Sequence, residues 1–157
     1  MKIVVLAVGK TSTGYIADAV ADFVKRASRH VPTEFVALPD AKPSKGQTEE
    51  MQKRREGQTI LSAISGGDSV VLLDERGKMP TSREFAGMIE QAMNRGLRRL
   101  VMVIGGPYGF SKEVYDRADS MLALSRMTFT HEMVRLFLAE QIYRATAIMH
   151  GEPYHHD

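Results

Sequence analysis

Polar residues of the kinds that take part in chemistry concentrate towards the end of the chain. The segment FTHEMVRLFLAEQIYRA places His131 and Arg135 four residues apart, and Glu140 and Arg144 share that spacing, so each pair lies on one face of a helix. Histidine and glutamate can transfer protons and arginine can bind anions, but solvated partners are the commoner explanation of this spacing. From the sequence we therefore expect both pairs at the surface.

The terminal segment GEPYHHD is harder to explain as a simple tail. Tyr154 and His155 follow Pro153 directly, whereas tails are usually rich in small and charged residues. His155 and His156 could bind a metal ion, but adjacent histidines on a tail lack the spacing of a ligand set. The tail is therefore a candidate functional segment, and no metal is expected.

A glycine-rich loop is the second candidate. In VMVIGGPYGFSKEV an apolar run up to Ile104 is followed by Gly105–Gly109, and a helix is expected to begin at Ser111. Glycine lets a ligand approach bare backbone, although an ordinary tight turn has the same composition. Leu73-Asp74 and Leu124–Phe129 also follow predicted strands. Ligands bind outside the carboxyl ends of strands in open parallel sheets, so the three segments together predict a pocket with backbone groups and apolar walls.

Two nucleotide-binding motifs are excluded. AVGKTS, after the first apolar run, is similar to a phosphate-binding P-loop, but that motif requires a glycine at the position of Val4. Gly9 is better explained as a turn glycine. A dinucleotide-binding fingerprint would follow the first strand, whereas the glycines here follow the fourth.

Composition limits the classes of function. With 157 residues, 43% of them hydrophobic and 25% charged, the chain fits one compact domain spanning 1–157. A net charge of +2 neither indicates nor excludes a nucleic-acid partner. The absence of cysteine excludes disulfides and thiolate chemistry and fits a reducing compartment. The apolar run Ile3–Val8 is too short for a signal peptide, so we expect a soluble cytoplasmic protein without membrane contact.

Alternating strand-like and helical patterns predict the fold class. The strand-like runs are Ile3–Val8, Glu34–Leu38, Ser69–Leu73, Leu100–Ile104 and Met121–Leu124. The helical faces between them comprise Ile16, Val20, Phe23, Val24 and Ala27, then Met51, Ile60, Leu61 and Ile64, then Phe85, Met88, Ile89 and Ala92. The first, third and fourth runs are apolar throughout, as in strands covered on both faces. These patterns predict an α/β fold, with a mostly parallel sheet flanked by helices and, from patterns alone, an unknotted flavodoxin-like topology.

Local signals refine this prediction. Thr81 and Glu84 form a capping box, and Gly96 is placed to end the same helix. Pro39–Gln47 is a polar loop. The last helical pattern, Thr130 to Met149, is apolar over a wide arc, which indicates burial in a large core or contact with a second subunit.

Together these motifs resemble the RlmH family of SPOUT-class methyltransferases. The matching segments are KIVVLAVGK, LLDERGK, VIGGPYG, LALSRMTFTHEMVRLFLAEQIYRA and GEPYHHD. They span essentially the whole chain in the family's order, and SRMTFTHEMVR is the most specific. Thr130 stands where relatives commonly have proline. Threonine is a good N-cap, so the last helix should still begin there.

The resemblance implies a SPOUT-type fold with a C-terminal trefoil knot and a homodimer paired through the long helices. It implies an enzyme that transfers a methyl group from S-adenosylmethionine to N3 of pseudouridine 1915 in 23S rRNA of the ribosome. Gly105 and Gly106 would be small because the cofactor lies against their backbone. The cofactor-binding residues implied are Leu73, Gly105, Gly106, Leu124, Ser125, Arg126, Met127, Thr128 and Phe129.

The resemblance also suggests catalytic roles, with the end of the chain near the cofactor. His155 is the expected base, Tyr154 and Arg144 would orient the nucleoside or a phosphate, and His131 is a second candidate base. Two alternatives remain at this point. One is a non-catalytic ribosome- or RNA-binding module of the same fold, and the other is a flavodoxin-like binder of a small molecule.

Overall fold

The computed structural model of the protein describes residues 1–41 and 44–156. In chain order the elements are β1 (Lys2–Val8), α1 (Gly14–Ala27), β2 (Thr33–Leu38), α2 (Glu49–Ser62), β3 (Ser69–Lys78), α3 (Ser82–Asn94), β4 (Arg99–Ile104), α4 (Lys112–Arg117), β5 (Ser120–Leu122) and α5 (His131–Met149). The polar loop predicted at Pro39–Gln47 contains Lys42 and Pro43, which lie outside the described residues.

Within the described ranges, five strands form one parallel sheet in the order β2-β1-β4-β3-β5. Leu6 in β1 lies opposite Val36 of β2 on one side and Val103 of β4 on the other. The central strands β1, β4 and β3 are those that the sequence predicted to be covered on both faces. The predicted fold class, α/β with a parallel sheet flanked by helices, is confirmed.

The strand order differs from the flavodoxin-like topology that the patterns alone predicted. A flavodoxin-like sheet has the order 2-1-3-4-5, whereas here β4 lies between β1 and β3. That prediction is wrong because hydrophobic periodicity identifies strands without identifying their neighbours. The observed order brings the glycine-rich loop after β4 to the middle of the sheet's carboxyl edge.

Helices cover both faces of the sheet. Alternate residues of β1 point to opposite faces, so Val5 belongs to the core under α1, α3 and α5, whereas Leu6 belongs to the core under α2 and α4. In the part of the chain that the structure describes, no helix is both long and apolar enough to cross a membrane.

Most predicted boundaries agree with the structure to within one or two residues. The Thr81–Glu84 capping box is present, and Gly96 ends α3 with a φ of +72°. The exception is β3, which continues beyond Leu73 to Lys78. Leu73 and Lys78 both pair with Leu122 of β5, and the register shifts between them.

Helix α2 is the element whose buried face was least well predicted. Ile60 is buried as expected, but Met51 is 52% exposed and Ile64 lies beyond the end of the helix. Glu56 and Gly57 are buried instead. A charged residue and a glycine therefore contribute to the packing of this helix.

Helix α5 packs between α1 and α3. Leu138, Ile142 and Ala145 are fully buried, so the chain itself covers a large part of the apolar arc. Thr130 caps the helix by accepting a hydrogen bond of 3.3 Å from the Met133 N–H. The predicted start of the helix is thereby confirmed.

Candidate functional site

A cavity of about 880 Å³ opens at the carboxyl ends of β3, β4 and β5. This volume is within the range of small-molecule sites, roughly 300–1,000 Å³. Its walls come from the three segments that the sequence singled out. Every residue predicted to bind the cofactor lines it: Leu73, Gly105, Gly106, Leu124, Ser125, Arg126, Met127, Thr128 and Phe129. His131, at the start of α5, lines it as well.

The glycines of the loop are required by packing inside the protein. A Cβ added to Gly105 would lie 3.0 Å from the ring of Phe110, and one added to Gly106 would lie 2.9 Å from the carboxyl carbon of Glu56. An added Cβ would therefore meet protein atoms at both positions, so packing inside the protein favours glycine there in addition to the cofactor contact implied by the resemblance. Gly109 has a φ of +79°, and its N–H donates to the Gly106 carbonyl at 3.2 Å.

Asp74, Arg76 and Tyr115 form a network at one wall of the cavity. The Asp74 carboxylate accepts hydrogen bonds from the Arg76 side chain at 3.1 Å and from the Tyr115 hydroxyl at 2.6 Å. The guanidinium of Arg76 lies 4.7 Å from the centre of the Tyr115 ring. Burial opposes ionisation of Asp74, but these hydrogen bonds outweigh it and lower its pKa to about 2. The network links the carboxyl end of β3 to α4.

The carboxyl end of β3 lies very close to the end of β5, with which it pairs. A Cβ on Gly77 would lie 2.5 Å from the backbone nitrogen of Leu122, and the Ala123 N–H donates to the Lys78 carbonyl at 2.8 Å. Only glycine allows this approach. This contact fixes the position of the segment that begins at Leu124.

The beginning of α5 is tied to the loop after β1. Arg135 is 1% exposed and donates to the Val8 carbonyl at 2.6 Å, the Gly9 carbonyl at 3.1 Å and the Thr11 hydroxyl at 2.9 Å. The prediction of a solvated His131–Arg135 pair is therefore wrong. Its spacing is helical, but Arg135 points inward to the carbonyl groups at the end of β1.

Glu132 explains why the AVGKTS segment is not a phosphate site. Its carboxylate accepts from the Ser12 N–H at 2.6 Å and from the hydroxyls of Ser12 and Thr13. The protein thus supplies its own anion at the N-terminus of α1. Hydrogen bonds from Thr13 and Ser12 lower the pKa of Glu132 to about 2.

The polar residues near the end of the chain form a second group, the tail cluster, which comprises Glu140, Arg144, Tyr154 and His155. The Arg144 Nε donates to Glu140 at 3.0 Å, and the Tyr154 hydroxyl donates to the same oxygen at 3.1 Å. The guanidinium lies 4.7 Å from the centre of the Tyr154 ring and 3.4 Å from Nδ1 of His155. The Glu140–Arg144 pair is therefore part of a partly buried network and not the solvated surface pair that spacing predicted.

Contacts with the turn after α1 and with the end of α5 hold the turn that leads to Tyr154. Nε2 of His30 lies 3.0 Å from the Glu152 carboxylate, and the His30 and His150 rings stack at 4.4 Å. The Tyr143 and Tyr154 rings are 4.6 Å apart. The tail is thus docked onto the protein as far as His155.

Within one chain the tail cluster lies away from the cavity. Helix α5 advances by about 20 Å between His131 and Arg144, at roughly 1.5 Å per residue. None of the tail-cluster residues lines the cavity. The expectation that they lie near the cofactor segments is therefore not met by a single chain. Nor does the described part of the chain contain a group of three or more side chains suited to hold a metal ion.

Two neighbours of the glycine loop were missed by pattern reasoning. Tyr115 lines the cavity, and Glu56 packs against the loop from behind. Glu56 precedes Ile60 by one helical turn, so an acidic residue on the apolar face of α2 was the available signal. Tyr115 carried no comparable signal.

Comparison with known proteins gives consistent results. Residues 1–155 match the family model described as "Predicted SPOUT methyltransferase". A protein of Parabacteroides distasonis named Ribosomal RNA large subunit methyltransferase H is 46% identical over 157 residues, with 100% of both chains covered. A protein of the same name from Christiangramia forsetii is 49% identical over 156 residues, with 99% of each chain covered.

Solved structures support the fold. A methylase family protein from Neisseria gonorrhoeae has a TM-score of 0.53 at 15% identity, with 90% of this chain and 81% of that chain covered. One from Haemophilus influenzae has a TM-score of 0.53 at 12% identity, with 99% of this chain and 70% of that chain covered.

Proposed function

The chain belongs to the SPOUT methyltransferase family, and on that basis we propose that it methylates ribosomal RNA in the cytoplasm. The proposed donor is S-adenosylmethionine, and the proposed acceptor is N3 of the pseudouridine in 23S rRNA implied by the resemblance. The relatives' name supports the rRNA substrate. The domain that does this is the whole chain.

The cavity is the observation that carries the proposal. It is large enough for S-adenosylmethionine, and its walls combine apolar side chains with the backbone of Gly105–Gly109. Such walls suit a flat adenine ring and a thioether-like body, and no acidic pair or metal is required. When bound, the cofactor supplies a methyl group already activated by its sulfonium, so the protein contributes largely by positioning.

The proton on N3 of the pseudouridine must leave as the N–CH₃ bond forms and the S–CH₃ bond breaks. We assign its removal to His155, with Tyr154 and Arg144 orienting the nucleoside or a neighbouring phosphate. Glu140 holds both of these residues through hydrogen bonds. His131 lines the cavity of its own chain and is the second candidate base.

A homodimer would remove the separation between the cavity and the tail cluster. Helix α5 keeps Met133, Leu136 and Phe137 only half-buried, and Tyr15 on α1 is 77% exposed. Two copies that pair through this face about a twofold axis perpendicular to α5 would run their α5 helices in opposite directions. The tail cluster of one copy would then lie beside the cavity of the other. Light scattering should show a dimer at micromolar concentration, and a monomer would contradict the proposal.

The trefoil knot belongs to the same proposal. It is supported by the resemblance and by membership of the SPOUT methyltransferase family. The knot would keep the segment Leu124–Phe129 folded into the cavity wall.

The proposed function is tested by methyl transfer from labelled S-adenosylmethionine to ribosomes that carry either pseudouridine or uridine at the target position. We expect labelling of 23S rRNA only with pseudouridine. Equal labelling of the two kinds of ribosome would indicate an rRNA methyltransferase that does not require pseudouridine. Cofactor binding without any transfer would favour the alternative, a non-catalytic ribosome- or RNA-binding module of the same fold.

A further inference from the structure

Glu56 is a buried carboxylate behind the glycine loop. It is 2% exposed, and one of its oxygens accepts a hydrogen bond of 3.0 Å from the Gln52 side chain. Its other oxygen, Oε2, has no hydrogen-bond partner among the described residues. Burial raises the pKa of this carboxyl. A buried polar atom without a partner destabilises a fold. Stabilising the fold therefore does not by itself explain why a glutamate stands here.

The Glu56 carboxyl occupies the space next to the Cα of Gly106. A Cβ on Gly106 would lie 2.9 Å from the carboxyl carbon of Glu56 and still closer to Oε2. The next residue, Gly57, packs against the start of α4, where an added Cβ would lie 3.2 Å from Cβ of the N-cap residue Ser111. Consecutive residues of α2 therefore pack against the glycine loop and against the helix that follows it.

We infer that Glu56 is a positioning residue that holds Gly105–Gly109 from behind and thereby sets the affinity for S-adenosylmethionine. This inference rests on the proposed function, since it places the cofactor in the cavity. Glu56 itself does not line the cavity and acts through the backbone of Gly106. A loop with three glycines has much conformational freedom. A rigid backing reduces the entropy lost when a ligand orders the loop.

Truncation of Glu56 should weaken cofactor binding without a general loss of structure. We expect Glu56→Ala to raise the calorimetric Kd for S-adenosylmethionine about tenfold, because it removes the support behind Gly106. Glu56→Gln has the same shape and should stay within about twofold of wild type. With ribosomes as substrate, Glu56→Ala should raise KM for the cofactor and leave kcat at saturation unchanged.

Ile60→Ala is the matched control. Ile60 lies one turn further along α2, is 1% exposed, belongs to the core under α2 and α4 and does not line the cavity. Its truncation should lower the thermal unfolding midpoint at least as much as Glu56→Ala does. Its Kd for S-adenosylmethionine should equal that of wild type.

A double-mutant cycle tests the contact itself. Gly106→Ala should weaken binding because its methyl group meets Glu56, and adding Glu56→Ala should recover part of the loss by making room. Gly105→Ala directs its methyl group at Phe110 instead. Glu56→Ala should therefore give no recovery in that background.

The inference is overturned if Glu56→Ala binds S-adenosylmethionine as wild type does, or if Ile60→Ala loses as much affinity. Equal recovery of both alanine variants by Glu56→Ala would also overturn it. If Gly106→Ala fails to fold, the comparison of Glu56→Ala, Glu56→Gln and Ile60→Ala decides alone. Failure of the wild-type protein to bind S-adenosylmethionine would instead refute the proposed function.

Discussion

The cavity and the tail cluster differ in the groups that form them. The walls of the cavity combine the glycine loop and apolar side chains with the polar network of Asp74, Arg76 and Tyr115. The tail cluster consists of charged and aromatic side chains at the other end of α5. Within one chain the two regions therefore lie apart, and the homodimer proposed above would bring the tail cluster of one copy to the cavity of the other.

The largest expected effect comes from removing the tail. Deletion of Pro153–Asp157 should reduce methyl transfer more than 100-fold, since it removes the proposed general base together with Tyr154. The Kd for S-adenosylmethionine should stay close to wild type, because no tail residue lines the cavity. Termini usually tolerate truncation, so the fold should persist. Unchanged transfer would show that the tail has no part in the reaction.

A single substitution in the tail tests the role of His155 alone. His155→Ala should lower kcat for methyl transfer on the order of 100-fold if His155 removes the proton. His156→Ala changes the adjacent, exposed histidine and should leave kcat near wild type. Comparable losses in the two variants, measured with saturating cofactor and ribosomes, would contradict the assignment.

A substitution at the cavity should affect cofactor binding itself, which the changes to the tail leave intact. Gly105→Val should abolish measurable binding of S-adenosylmethionine, because its side chain meets Phe110 and displaces the loop. Gly87→Ala is the control, since an added Cβ has no neighbour within 4 Å there. Calorimetry compares the two, and circular dichroism should show that Gly105→Val remains folded. Wild-type affinity of Gly105→Val would place the cofactor elsewhere.

The smallest effect concerns the contact that anchors α5 near the cavity. The pKa of Glu132 is about 2 in the folded chain, below its ordinary value of 4.5. A lowered carboxyl pKa contributes stability above the ordinary value, and this contribution is lost as the pH falls towards 2. Glu132→Gln should therefore lower the thermal midpoint by a few degrees at pH 7.

The same variant should differ less from wild type as the pH approaches 2. Thermal unfolding at a series of pH values measures this. A difference between the two proteins that does not change with pH would show that the charge of Glu132 contributes nothing.

Sequence patterns predicted what depends on local periodicity. The apolar runs located the strands, Thr130 located the start of α5, and the rule for parallel sheets correctly brought Leu73, Gly105 and Leu124 to one cavity. These features follow from residues close in sequence or from a general property of the fold class.

Features that depend on which elements meet in space were not predictable in this way. The position of β4 between β1 and β3, the burial of Arg135 and the contact of Glu56 with Gly106 all join distant parts of the chain. The distance between the tail cluster and the cavity belongs to the same class, because it depends on the direction of α5.

The composite site is tested most directly by mixing two inactive variants. Gly105→Val lacks the cavity but keeps its tail, and His155→Ala lacks the base but keeps its cavity. If the tail of one copy serves the cavity of the other, each mixed dimer contains one intact site. After unfolding and joint refolding, methyl transfer should recover to about a quarter of wild type, since about half of randomly formed dimers are mixed. If each site lies within one chain, every site carries a defect and activity will stay at the level of the separate variants.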